Sequence, residues 1–277
     1  MVDFTSSFQD ILEEYKKHKI NMNYPGFYDE PNFIKLEKSD SNYLETYASY
    51  VQLKNYSAEY LNCARTEIPC ICEVLYQELA SDGRLGACID ASMVLSRILE
   101  KEGFWNYVVK GSLTIEFPPQ LNIETKYFWT FDIGDYKSAH TWVVAPPFNI
   151  IDITIKQQKY NDNGRNYLPN YIFKEEINNF TVSFRDLFSP NIREQLRAQG
   201  IRNSEMITHV KPRLEKYWQY FKPNLVDVSG TKLKYTPTGI GAPDSKLEHI
   251  KSLKLNNRYG IDIYNNVVKP MLSEMRS

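Results

Sequence analysis

The 277-residue chain has few cysteines, no excess of either charge and no long apolar stretch. Its four cysteines are too sparse for a disulfide scaffold and fit a reducing compartment. Lys plus Arg number 33 and Asp plus Glu 34, so no global charge attracts the chain to nucleic acid or to an anionic membrane. No window approaches the ~18 consecutive apolar residues that a transmembrane helix needs.

Targeting and repetitive segments are also missing from the sequence. Residues 1–7 have neither the basic segment nor the apolar core of a secretory signal. We therefore expect a cytoplasmic protein, with export by a route that needs no signal peptide left open. The sequence contains no internal repeat, and its 42% hydrophobic content is enough to bury a full core.

One cysteine lies in a distinctive local pattern, Gly-Ala-Cys-Ile-Asp-Ala-Ser, at residues 86–92. Apolar residues recur at helical spacing from Ala91 to Leu99, and Gly103 provides a stop. Cys88 is therefore predicted to begin a buried helix. Free backbone N–H groups and the positive end of the helix dipole would favour its thiolate and could stabilise an oxyanion.

A histidine and an aspartate follow on two predicted strands. His140 begins the run His-Thr-Trp-Val-Val, and Asp152 lies in the β-branched run of residues 148–155. Pairing of these runs across the turn at residues 145–147 would bring the imidazole near the carboxylate. Asp152 could then orient one ring nitrogen while the other faces a thiol.

These three motifs, in this order, resemble the transglutaminase-like core of the papain-like superfamily over residues 71–155. The resemblance implies an α+β fold in which a helical layer carrying the nucleophile packs on an antiparallel sheet. It also implies that Cys88 is the nucleophile, His140 the general base and acid, and Asp152 the orienting carboxylate. Residues 1–60 and 200–277 match no recognised pattern and are expected to set the substrate.

The resemblance implies acyl transfer through a thioester of Cys88. We expect an enzyme that acts on an amide bond of a protein or peptide, as a peptidase or deamidase if water resolves the acyl-enzyme. If an amine resolves it, the enzyme is a transglutaminase or another acyltransferase. A non-catalytic binding module on the same fold is a further alternative, because a fold does not determine function.

Each of these residues also has a simpler interpretation. A buried cysteine is usually a small hydrophobe, and a single histidine is usually a core residue. Cysteine, histidine and aspartate can also bind zinc. Cys63, Cys70 and Cys72 lack zinc-site spacing and are expected to pack in helices. We predict no metal, no cofactor, and no nucleic-acid or membrane partner, and the sequence does not indicate an oligomeric state.

The flanking regions give coarser expectations. We predict a mainly helical N-terminal addition at 1–60, the catalytic core at 61–195, and a C-terminal helical and hairpin addition at 196–277 packed on the core as one unit. Pro69 is expected to divide one helix from the next, residues 206–220 are expected to form a helix, and residues 236–241 a turn.

Two side-chain roles stay open at the level of sequence. Gln77 either completes an oxyanion hole or is a solvent-facing helical residue. A tyrosine cluster either lines a peptide-binding groove or is ordinary partly buried surface; its members are Tyr43, Tyr47, Tyr50, Tyr56 and Tyr60.

Overall fold

The chain adopts an α+β fold in which helices surround an antiparallel, nearly closed sheet. A computed structural model describes residues 2–132 and 139–277. The helices are α1 Phe8–Lys17, α2 Pro31–Ser39, α3 Leu44–Leu53, α4 Ala58–Asp82, α5 Cys88–Lys101, α6 Phe184–Leu187, α7 Pro190–Ala198, α8 Met206–Val210, α9 Leu214–Tyr217, α10 Gly260–Ile263 and α11 Lys269–Met275. The strands are β1 Tyr107–Glu116, β2 Lys126–Phe128, β3 His140–Ala145, β4 Phe148–Asp152, β5 Ile172–Lys174, β6 Asn224–Val228, β7 Thr231–Gly241, β8 Lys254–Leu255 and β9 Arg258–Tyr259.

The main sheet has the order β5-β4-β3-β1-β7-β6, and β2 pairs with β1. Its two ends approach each other, because the Leu225 N–H of β6 donates to the carbonyl of Asn178, just beyond β5, at 2.8 Å. The Asn178 N–H in turn donates to the Asn224 side chain at 2.9 Å. The expected antiparallel sheet with helices is therefore present, and the sheet is nearly closed.

Each face of the sheet packs against its own hydrophobic cluster. Side chains alternate between the faces along a strand, so Val143 and Ala145 of β3 pack with α4 and α5, whereas Trp142 and Val144 belong to the cluster that includes α1 and α3. Leu95 of α5 is 1% exposed in the first of these clusters. This packing fixes the helix that begins at Cys88 against the strand that begins at His140.

The prediction that Pro69 divides two helices is wrong, because α4 runs unbroken from Ala58 to Asp82 with Pro69 inside it. Proline in a helix interior costs roughly 3 kcal/mol. The apolar face of α4 continues on both sides of the proline, with Ile68 and Ile71 both fully buried. Burial of that continuous face outweighs the local cost and keeps the two halves in line.

The helix predicted for residues 206–220 is broken in two, as α8 and α9. Lys211, which precedes Pro212, has φ −142° and ψ 80°. A residue before proline is driven out of helical geometry by the proline ring. The turn predicted for residues 236–241 is also wrong, because these residues complete β7 and pair with β1 across a register shift at Lys110 and Gly111.

The tyrosine cluster belongs mainly to the core. Tyr43, Tyr47 and Tyr50 are buried among aromatic rings, while Tyr56 and Tyr60 stack on each other at 4.8 Å between centroids. Among residues 2–132 and 139–277, no helix is both long enough and apolar enough to cross a membrane.

Candidate active site

Cys88 is the first residue of α5, as the sequence predicts. The residue before it, Ala87, occupies the N-cap position and makes no side-chain capping hydrogen bond. Gly86 has φ +71°, a left-handed conformation that favours glycine, and its N–H donates to the Gln157 carbonyl at 2.8 Å. The turn thus leaves the thiol beside the N–H groups of a helix terminus.

His140 and Asp152 lie on adjacent antiparallel strands, joined by the predicted turn at Pro146 and Pro147. The Nε2 atom of His140 is 2.6 Å from Oδ2 of Asp152. The predicted contact between imidazole and carboxylate is therefore confirmed. Both side chains are fully shielded from solvent, whereas Cys88 keeps 6% exposure, so the thiol is the member of the trio nearest to solvent.

The Asp152 carboxylate accepts hydrogen bonds at both oxygens. Thr154 donates its N–H at 2.8 Å and its hydroxyl at 2.9 Å to Oδ1. The Tyr235 hydroxyl donates to Oδ2 at 2.9 Å, beside the His140 contact. Burial opposes ionisation, but the charge and hydrogen bond of His140 and the two Thr154 bonds outweigh it and lower the pKa of Asp152.

The His140 ring lies between aromatic side chains, with its centroid 5.8 Å from Phe128 and 6.4 Å from Trp142. Burial disfavours the charged ring, but the Asp152 charge and hydrogen bond, together with Cys88, raise the pKa of His140 to about 10. Because Asp152 occupies Nε2, only Nδ1 remains for the thiol. Nδ1 is buried and has no hydrogen-bond partner among the described residues.

The thiol of Cys88 lies against the start of β3, with Sγ 4.0 Å from the Ala139 carbonyl oxygen. Burial opposes its ionisation, but His140 and then the Thr141 hydroxyl favour the thiolate, so the pKa of Cys88 falls below its usual range. The lowered thiol pKa and the raised imidazole pKa both favour transfer of the thiol proton to the imidazole, which gives a thiolate and imidazolium pair.

Thr141 is a site residue that the sequence analysis did not identify. Its side chain is 1% exposed, and its hydroxyl has no hydrogen-bond partner in the described part of the chain. Strand alternation turns it away from His140 and toward α5, where the Ser92 hydroxyl, one turn after Cys88, donates to the Thr141 carbonyl at 3.3 Å. The sequence predicts that the side chains of His140 and Thr141 lie on opposite faces of the strand. It does not show which of these faces packs against α5, so Thr141 could not be placed near Cys88 in advance.

Gln77 takes the solvent-facing alternative. It lies in α4 as an exposed residue, and its amide donates to Glu73 on the same helix at 2.5 Å. Cys88 itself lies in the first turn of α5, whose N-cap residue provides no side-chain acceptor for the N–H groups there. These groups suit an oxyanion formed at the carbon that the sulfur attacks.

Within the described ranges, no three His, Cys, Asp or Glu side chains are arranged to hold a metal ion. At 2.6 Å, His140 and Asp152 bond to each other directly, which leaves no space for a metal between them. Thr154 and Tyr235 occupy the remaining positions on the carboxylate.

Comparisons of the chain with protein-family models, with curated proteins and with solved structures found no match.

Proposed function

We propose that this protein is a cysteine-dependent acyl-transfer enzyme that acts on an amide bond of a protein or peptide, as a peptidase or deamidase. One observation carries the proposal. His140 bonds Asp152 through Nε2 and keeps a buried, unpartnered Nδ1, while the pKa of the Cys88 thiol at the α5 terminus is lowered mainly by that histidine. A core packing role for the three residues would not require an ionised thiol.

The reaction begins from the thiolate and imidazolium pair. The Cys88 sulfur attacks the amide carbonyl carbon, and the carbonyl electron pair moves to oxygen, where N–H groups of α5 stabilise it. When the tetrahedral intermediate collapses, the C–N bond breaks and the leaving amine takes a proton from His140. Water then attacks the thioester as His140 accepts its proton, the acid is released, and Cys88 returns as thiolate.

Asp152 stays ionised throughout and stabilises the imidazolium at Nε2. The buried Thr141 hydroxyl also favours the thiolate. The aromatic side chains around His140 exclude water, which strengthens the charge interactions. These groups therefore act in forming the nucleophile or in stabilising the charge that its attack generates.

We also propose that the catalytic core is papain-like and that the protein acts in the cytoplasm. The nucleophile on a helix terminus packed against an antiparallel sheet supports a papain-like, transglutaminase-like core. A reactive thiol and four free cysteines suit the cytoplasm, where thiols stay reduced.

Comparing full-length wild type with Cys88→Ala in a cell lysate, by quantitative mass spectrometry of the substrate proteins, tests the proposal. We expect new chain ends if the enzyme is a peptidase, or conversion of glutamine or asparagine to the acid if it is a deamidase. Both products require Cys88 and should vanish in the variant. Cys63→Ala and Cys70→Ala serve as matched controls and should retain the products, because neither thiol lies at the site.

Cross-linked or amine-modified proteins that depend on Cys88 would instead identify an amine acyltransferase. If no protein changes mass in a Cys88-dependent way while the wild type captures a protein without modifying it, the fold acts as a binding module and the enzyme proposal fails.

A further inference from the structure

Tyr235 lies in the middle of β7, between β1 and β6. It is fully buried, and its hydroxyl donates to Oδ2 of Asp152 at 2.9 Å. The two residues are 83 positions apart. The fold thus brings a side chain from a distant strand of the sheet to the oxygen that also contacts His140.

The hydroxyl completes the hydrogen bonding of the carboxylate. Among the described residues, Oδ1 is held from one side by Thr154 alone, through its N–H and hydroxyl. At Oδ2 the donors from the same residues are the His140 ring and Tyr235. Without Tyr235, the imidazole would be the one described donor left at Oδ2, and it is the group that the carboxylate orients.

From this arrangement we propose that Tyr235 is a positioning residue of the active site, which fixes the Asp152 carboxylate and keeps it ionised so that His140 presents Nδ1 to Cys88. The inference rests on the proposed function for its catalytic meaning. Its structural part, the effect of Tyr235 on the Asp152 and His140 pair, does not.

The ring and the hydroxyl of Tyr235 have separable roles. The ring packs edge-on against Trp142 at 5.2 Å between centroids and lies 6.2 Å from the His140 ring. Phenylalanine would keep these contacts and remove only the oxygen. A residue needed for packing alone should therefore tolerate Tyr235→Phe, whereas a positioning residue should not.

Tyr217→Phe is a matched control within the same chain. Tyr217 is also buried, at 1% exposure, but its hydroxyl has no hydrogen-bond partner among the described residues. Both substitutions remove one buried hydroxyl from an aromatic core and leave the ring. They differ in whether that hydroxyl contacts Asp152.

The first measurement follows the Nε2–H proton of His140 by NMR in full-length protein with ¹⁵N-labelled histidine, assigned with His140→Gln. A donor to a carboxylate stabilises its ionised form, so loss of the Tyr235 hydroxyl raises the pKa of Asp152. On acidification, we expect Tyr235→Phe to lose the bonded Nε2–H signal at a pH about one unit higher than wild type. Tyr217→Phe should follow wild type.

The second measurement is the rate of Cys88 alkylation by iodoacetamide near neutral pH. We expect Tyr235→Phe to lower it several-fold, because a loosened Asp152 holds the imidazolium less well, and Tyr217→Phe to leave it unchanged. If the NMR signal of Tyr235→Phe is lost at the same pH as in wild type, the positioning role is wrong. If the NMR shift occurs but wild-type Cys88 reacts no faster than Cys63 and Cys70, Tyr235 still orients Asp152 and the proposed enzyme function fails instead.

Discussion

Asp152→Asn is expected to leave the protein folded and to lower turnover by about 10²- to 10⁴-fold, as the equivalent change does in Ser-His-Asp enzymes. The asparagine carbonyl can still accept the Thr154 bonds. Its amide, however, would present a donor to Nε2 of His140, which favours the tautomer with the proton on Nδ1. The imidazole could then no longer accept the thiol proton. Turnover of a substrate identified in lysate, together with thermal melting, measures both effects.

Asp162→Asn is the matched control for that substitution. Like Asp152, Asp162 accepts the N–H of the residue two positions later, here Gly164 at 2.9 Å, but its other partner is Lys126 and not a histidine. The Asp162→Asn variant should retain wild-type turnover. Equal turnover in wild type and Asp152→Asn would show that the carboxylate does not orient a catalytic histidine.

Leu95→Ala should have the opposite effects to Asp152→Asn, a loss of stability with little change in turnover. Leu95 is 1% exposed between α5 and the sheet, so its truncation opens a cavity and should lower the free energy of unfolding by about 2–5 kcal/mol. Turnover per folded molecule should change little, because Leu95 is two turns of α5 away from Cys88. Denaturant unfolding measures the first effect, and turnover corrected for the folded fraction measures the second.

The same helix offers a stability control in Ile89→Ala. Ile89 is 51% exposed, so its truncation should alter the free energy of unfolding by no more than about 0.5 kcal/mol. If Leu95→Ala lowers the free energy of unfolding as little as Ile89→Ala does, packing of the buried face of α5 does not stabilise the fold.

The placement of Cys88, His140 and Asp152 in the fold could be predicted from sequence because each depends on a local pattern. Helical spacing after Ala91 predicted that Cys88 begins a helix, and a short turn between two β-rich runs predicted that the His140 ring contacts Asp152. Because these patterns are local, they can be interpreted without knowledge of the rest of the fold.

Tyr235 could not be predicted in this way. Its contact with Asp152 depends on β7 lying beside β1, and the Pro-Thr-Gly segment that ends β7 has the composition of a turn. The prediction of a helix break at Pro69 was wrong for a related reason. Local propensity favoured a break, whereas burial of Ile68 and Ile71 keeps α4 continuous. Tertiary packing overrides local preference in both cases.

Activation of Cys88 by His140 is tested most directly by the pH dependence of iodoacetamide alkylation at each cysteine. Because the pKa of Cys88 is lowered by His140, we expect Cys88 of the wild type to react first, with a midpoint below the ~8.5 of a free thiol. His140→Ala should move that midpoint upward and slow the reaction near neutral pH. Cys63 and Cys70 should behave alike in both proteins. Alkylation of Cys88 with a midpoint near ~8.5, unchanged in His140→Ala, would contradict the account.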